Sequence, residues 1–198
     1  MAKSTLTGRS AFLRLLLDEG VSHLFGNPGT TELPIMEAMP DYPQLRYVLG
    51  LHESVVVGMA DGYARASNRL AACNVHVAPG LGNAMGALYN AKFSGSPLIL
   101  TAGQQEQGHG LLEPLLYAPL VPVAQPFVKW AVEVTRAADL PLVIRRVRVL
   151  LDLDADPEAI HAVLGSRFPD GAGLRVPGCM DGYELAVRAV LGQQITVA

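Results

Sequence analysis

The chain carries only two cysteines in 198 residues, Cys73 and Cys179. They lie far apart, in neither a CxxC nor a metal-type spacing. This argues against a disulfide scaffold or thiolate metal centre and for reduced, partly buried thiols in a cytoplasmic setting. Charge is sparse too: 17% of residues, with a net −3. That balance gives no electrostatic reason to expect nucleic acid or an anionic membrane as partner. No apolar run reaches the length needed to cross a bilayer. The first, Ala11 to Leu17, is broken by Arg14 and followed by Asp18 and Glu19, so it does not read as a signal peptide. His23, His52, His76, His109 and His161 show no ligand-like spacing, and no metal site is expected. Internal repeats and low-complexity segments are absent as well. What the chain has in abundance is hydrophobic residues, 50% of the total, enough to bury a real core and to exclude intrinsic disorder.

Those apolar residues are arranged in alternating helical and extended signals. Thr7 to Gly20 predicts an amphipathic helix closed by a glycine, and Val21 to Phe25 a strand stopped by Gly26-Asn27-Pro28-Gly29. Thr30 or Thr31 can cap the next helix, with Glu32 in its first turn and Pro34 just inside. Strands are expected at Arg46 to Leu49, Leu70 to Val77 and Pro97 to Ala102, with helices at Glu53 to Ala66 and Leu81 to Phe93. The nearly continuous apolar run of the last strand suits a parallel strand covered on both faces. The expected fold class is α/β: an open, mostly parallel sheet with helices on both faces, followed by a short all-α C-terminal segment. In such sheets ligands gather beyond the carboxyl ends of the strands, where GNPG, HES and HVAPG fall. The rhythm ends after about Asp139, and no lysine follows Lys129. Helices are expected at Leu140 to Leu151, Asp156 to Leu164 and Asp181 to Ala198. A boundary near Arg145 to Arg148 divides the chain into residues 1–146 and 147–198.

Three motifs could carry chemistry. Glu53 precedes Val55-Val56-Val57, so desolvation should raise its carboxyl toward a range useful for acid/base work, while its place at a helix start favours the anion. Alternatively it is a first-turn glutamate that only stabilises the helix. Phe25-Gly26-Asn27-Pro28-Gly29-Thr30-Thr31-Glu32 lets a ligand approach the backbone closely, but it lacks the GK[ST] of a phosphate loop, and a tight βα turn explains it equally well. His76 stands at a strand's end before Val77-Ala78-Pro79-Gly80, placed for proton transfer, although a lone histidine is more often structural.

Taken in order, GNPGTTELP, LHESVVVGMADGYAR, HVAPGLGNAMGALYNA and SPLILTAGQQ resemble the N-terminal pyrimidine-binding domain of thiamine-diphosphate enzymes, most closely the benzoylformate decarboxylase group, over Leu6 to Arg145. The resemblance implies thiamine diphosphate as cofactor and a 2-oxo-acid as substrate. It assigns Glu53 to the cofactor's aminopyrimidine ring, where it activates the thiazolium carbon. His76 would transfer protons to substrate-derived intermediates. Thr30 falls where the family has a serine near the substrate carboxylate. Asn27, Pro28, Gly29 and Asn83 would line the cofactor face with Glu53. The family holds diphosphate and Mg²⁺ on another domain through a GDG…N motif. No GDG occurs in this sequence, so the resemblance implies a half-site, inactive alone, completed by a homo-oligomer or a complementary diphosphate-binding domain.

The tail resembles a second family. Leu151-Asp152-Leu153-Asp154-Ala155-Asp156-Pro157, Gly173 to Gly178 and Asp181 to Gln194 are similar to the DNA-3-methyladenine glycosylase II group, which flips and excises damaged bases. DNA is implied as a partner only if the tail belongs to a complete glycosylase. Residues 145–198 hold six Arg against seven Asp and Glu, which offers phosphates little attraction. The plainer reading of Tyr183, Val187, Val190, Leu191 and Ile195 is a core stripe, and that of Asp152, Asp154 and Asp156 a solvated turn. Two families meeting near Arg146 to Arg148 imply a chimera or truncated fusion. A non-catalytic folded module is the third expectation.

Overall fold

The computed structural model of the protein describes residues 7–151, 153–167 and 169. Helix α1 (Gly8–Asp18) opens with Thr7 as its cap, the threonine hydroxyl accepting from the Ser10 amide. Gly20, at φ +76°, ends the segment in the left-handed conformation that glycine adopts without strain. Strand β1 (His23–Gly26) comes next, then a 3-10 turn over Thr30–Glu32 and helix α2 (Leu33–Ala38). Strand β2 (Arg46–Leu49) leads to α3 (Glu53–Ser67), which stops at a left-handed Asn68. Strand β3 (Ala71–Val75) leads to α4 (Val77–Ser94), and Gly95 lets the chain turn into β4 (Leu98–Ala102).

Helix α4 begins four residues before the expected Leu81. Val77-Ala78-Pro79-Gly80 forms its first turn, where a proline's missing N–H has no intrahelical acceptor to disappoint. The expected cap at Thr30 or Thr31 is also not what forms. Gly29 occupies the cap, and the Glu32 side chain folds back to accept the Gly29 amide at 2.9 Å.

Among the described residues the four strands run parallel in one sheet, in the order β2-β1-β3-β4. Helices α3 and α4 pack on each other and against the strands. Beneath them lies a cluster including Phe25, Val56, Val57, Ala60, Ala71, Cys73, Val75, Leu81, Ala84 and Leu88. Ala60, Ala64 and Ala84 are among its small residues and allow the two helices to approach closely. Strand alternation turns Leu24 and Ala72 to the opposite face, where both are buried, as are Leu13 and Leu16 of α1 and Ala38 of α2. Strand β4 corrects one expectation. It is only half-buried along its whole length, because among the described residues it pairs with β3 alone and forms the sheet's edge.

After β4 come two short helices, α5 (Gln107–Gly110) and α6 (Leu120–Ala124), and a 3-10 turn over Gln125–Phe127. The segment from Leu120 packs back onto α4: Phe127 meets Tyr89 edge-on, and Lys92 Nζ donates to the Pro126 carbonyl at 2.8 Å. The chain divides into two compact units between Leu140 and Pro141. The second contains most of α7 (Leu140–Leu150) and all of α8 (Pro157–Leu164). Within it Asp154 pairs with Arg148, and Asp156 caps α8 by accepting from the Glu158 and Ala159 amides. Cys179, the expected helix from Asp181, the Tyr183-to-Ile195 stripe and Gln194 lie outside the described residues, as does Asp152.

Candidate functional site

Strand β1 lies at the centre of the change in direction: the chain leaves it one way to β2 and returns past it to β3. In parallel sheets of this kind a ligand crevice is expected at the carboxyl ends of strands such as β1 and β3, beside Asn27-Pro28-Gly29 and His76. Two buried carboxylates anchor its polar groups.

The first is Glu53, the first residue of α3, only 7% exposed. Asn27 Nδ2, from the loop after β1, donates to Oε1 at 3.0 Å, and Asn83 Nδ2, from α4, donates to Oε2 at 2.9 Å. Gly80 brings α4 close to the same carboxylate, since a side chain there would press on Oε1 at 3.3 Å. His52 caps α3 with Nδ1, accepting the Ser54 amide at 3.2 Å. Burial pushes the Glu53 carboxyl up. Hydrogen bonds from Asn83, its own amide and Asn27, with the nearby His52, outweigh that and hold it below the usual glutamate range. Of the opposing effects expected at Glu53, those that favour the anion prevail. Val56 and Val57 pack into the core while Val55 is exposed, and the carboxylate itself meets donors.

The second carboxylate, Glu32, is 1% exposed, and its role was not expected. Besides the Gly29 amide it accepts from Thr31 Oγ1 at 2.6 Å, and it bonds His76 Nδ1 at 2.8 Å. Thr31 Oγ1 also lies 3.1 Å from His76 Nδ1. Two glycines make room for the group. A Cβ at Gly29 would overlap the His76 ring, and one at Gly103 would overlap Glu32 and Thr31. His76 sits just past β3, before Val77, whose φ of +41° is a strained conformation for a β-branched residue. Tyr47 reaches over Gly26, where a side chain would collide with its hydroxyl. That hydroxyl is buried and without a hydrogen-bond partner among the described residues, and burial together with the negative Glu32 pushes it up to about 12.

The structure thus brings Asn27 and Asn83 onto the Glu53 carboxylate, and places Gly29 against His76. Thr30 is exposed and outside both groups; Thr31 supplies the hydroxyl that joins Glu32 to His76. Pro28 sits in the loop between. Sequence reasoning missed Glu32, Thr31 and Tyr47. The one available signal for Glu32 was its place three residues after Gly29, the spacing of a side chain that bonds back to a helix cap.

The family model described as "Thiamine pyrophosphate enzyme, N-terminal TPP binding domain" matches residues 6–113, more than half of the chain. The chain belongs to the thiamine pyrophosphate enzyme family. Benzoylformate decarboxylase of Pseudomonas aeruginosa is 39% identical over 206 residues, spanning 96% of this chain and 37% of that protein. IlvX of Mycobacterium tuberculosis, a protein named for an acetolactate synthase large subunit, is 34% identical over 162 residues, 82% of this chain and 28% of its own. Among solved structures, the thiamine diphosphate-dependent 4-hydroxybenzoylformate decarboxylase of Rhodococcus jostii is 43% identical. It superposes with a TM-score of 0.68 over 73% of this chain and 27% of its own. A thiamin diphosphate-dependent enzyme from Mycobacterium smegmatis superposes equally well, with a TM-score of 0.68 at 38% identity. The chain thus spans 37% and 28% of the lengths of these two curated relatives.

A second model, the AlkA N-terminal domain, matches residues 120–181, in keeping with the glycosylase-like character of the tail. The part of that match before Pro141 falls within the first compact unit, where residues from Leu120 to Phe127 pack on α4 of the thiamine pyrophosphate enzyme domain.

Proposed function

We propose that the first unit is the aminopyrimidine-binding half of a thiamine diphosphate site in a 2-oxo-acid decarboxylase of the benzoylformate decarboxylase kind. The observation that carries this reading is the buried Glu53 carboxylate, held by one amide donor on each oxygen. The carboxylate keeps acceptor capacity beyond these bonds, and the group suits a planar heterocycle that presents a ring nitrogen. Gly80 leaves the backbone bare beside it. Thiamine diphosphate, when bound, would supply the carbanion-stabilising chemistry that decarboxylation requires. Glu53 would orient its pyrimidine ring and hold a proton at the ring nitrogen, with Asn27 and Asn83 fixing the carboxylate, and Pro28 and Gly29 shaping the wall. His76 would move protons to and from the substrate, and Thr30 would offer a hydroxyl to the substrate carboxylate. The diphosphate and Mg²⁺ would be held by a separate domain, in a longer chain or a partner subunit. The glutamate, two asparagines, histidine and bare glycine backbone at one crevice all support this assignment.

The test is a titration of the chain with 4-amino-2-methylpyrimidine, the cofactor half this unit would bind, followed by ¹H–¹⁵N spectra, with a parallel calorimetric titration using thiamine diphosphate and Mg²⁺. Shifts confined to Asn27, Gly29, Glu53 and Asn83, weakened about tenfold or more in Glu53→Gln, are expected from loss of a charge-assisted hydrogen bond. Shifts scattered elsewhere, or indifferent to that substitution, would overturn the reading.

A second reading applies to the tail, where the AlkA N-terminal domain match supports a fragment of a DNA-3-methyladenine glycosylase. Binding to duplexes carrying an alkylated or abasic site, retained by a chain with Glu53→Gln, would favour it.

A further inference from the structure

Among the contacts of the crevice, those of Glu32 go beyond any role the family reading gives it. The carboxylate is as buried as the central core leucines, yet it lies in no ion pair with Lys or Arg among the described residues. Its partners are the Gly29 amide, the Thr31 hydroxyl and one nitrogen of His76. These bonds determine where the imidazole carries its hydrogen. The Thr31 hydroxyl donates to Glu32 Oε1 at 2.6 Å, so toward His76 Nδ1 it offers only a lone pair. Glu32 Oε2 is likewise an acceptor. Both oxygens facing Nδ1 therefore accept, and the neutral ring must carry its proton there. Nε2, which makes no side-chain hydrogen bond among the described residues, is left as the basic nitrogen. Gly29 lies close against the ring, where a Cβ would overlap it.

We propose that Glu32 is a positioning residue that locks His76 in the Nδ1–H tautomer, leaving Nε2 as the ring's proton acceptor. It would also stabilise the imidazolium formed when Nε2 takes a proton, as buried carboxylates do behind catalytic histidines. The proposal rests on the reading of His76 as the proton-transfer group, but its geometry and its test do not require turnover.

The lock makes an asymmetric prediction for two variants. In Glu32→Gln the amide oxygen can stand at the Oε2 position, accepting from Gly29 and from Nδ1–H, while the amide NH₂ donates to Thr31 Oγ1. The tautomer should survive. In Glu32→Met no acceptor remains, and the Nδ1–H form should lose its dominance. The measurement is a two-bond ¹H–¹⁵N correlation spectrum of the full ¹⁵N-labelled chain at about pH 8.5, above the ordinary histidine range, with the His76 signals assigned by their loss in His76→Gln. Expected are the Nδ1–H pattern in the parent chain and in Glu32→Gln, and its loss in Glu32→Met. An Nε2–H pattern in the parent chain overturns the proposal outright, whether or not Glu32→Met folds. So does an unchanged Nδ1–H pattern in a folded Glu32→Met. Failure of aminopyrimidine binding with the pattern intact would instead defeat the functional reading and leave the lock standing.

Discussion

Glu53 shows how tertiary contacts set the environment of a single residue. Three valines beside it suggest a carboxyl starved of water, yet the tertiary fold delivers two asparagine amides from segments 26 and 30 positions away. That environment sets the sign of its contribution to stability. A carboxyl held low in the fold and relaxed to its ordinary value when unfolded contributes stability above the ordinary range, about 4.3 for glutamate. That contribution is lost as pH falls through the lower folded value. The parent chain should therefore lose stability more steeply below about pH 4.5 than Glu53→Gln, which has no proton to bind there. Urea unfolding midpoints measured from pH 7 to pH 3 decide it; parallel acid limbs would mean that the asparagine bonds do not hold the anion. Glu32 is the complementary case. Its chemistry was invisible because a glutamate after two threonines looks like any first-turn carboxylate until β3 brings His76 against it.

Elements matter here as carriers of these groups. Helix α3 presents Glu53 from its first turn and α4 presents Asn83 from its second, so the Glu53–Asn83 bond depends on how the two helices pack. That packing uses alanines at the contact and Leu88 as a large residue beneath, 4% exposed in the cluster with Val56 and Ala60. Leu88→Ala should cost about 2–5 kcal/mol by lost burial and a residual cavity. Thermal or urea unfolding would report it. A loss below about 1 kcal/mol would mean that α4 settles into the space and that the interface is looser than the burial implies. Pro79 in the first turn of α4 is the same lesson at the level of secondary structure: the HVAPG stretch reads as a turn from composition, but a helix start needs none of the amides that proline lacks.

For the whole molecule the division between Leu140 and Pro141 is the governing feature. Among the described residues, every buried hydrophobic side chain except Ile144 and Leu150 lies between Leu13 and Ala91. The first unit therefore has a core of its own, at a length ordinary for one domain. A chain ending at Leu140 should unfold cooperatively in urea, with a midpoint close to that of the parent. Loss of the cooperative transition would show that the first unit depends on residues beyond Leu140. The same division bears on the two family matches, which meet in sequence before the fold changes unit: the AlkA-type match begins at residue 120, while the chain stays packed on α4 through Phe127.

The sequence by itself determined the parallel α/β class, the strand that ends in GNPG, the glutamate that opens α3 and the family they compose. These are local facts: hydrophobic periodicity, turn residues and motif order are written along the chain and need no partner. Only the tertiary structure decided that Glu53 is held as an anion, that Thr31 and not Thr30 joins the polar cluster, and that Glu32 stands behind His76. Each of those depends on side chains brought together where parallel strands end, across turns and crossovers, in surroundings dry enough for every hydrogen bond to count.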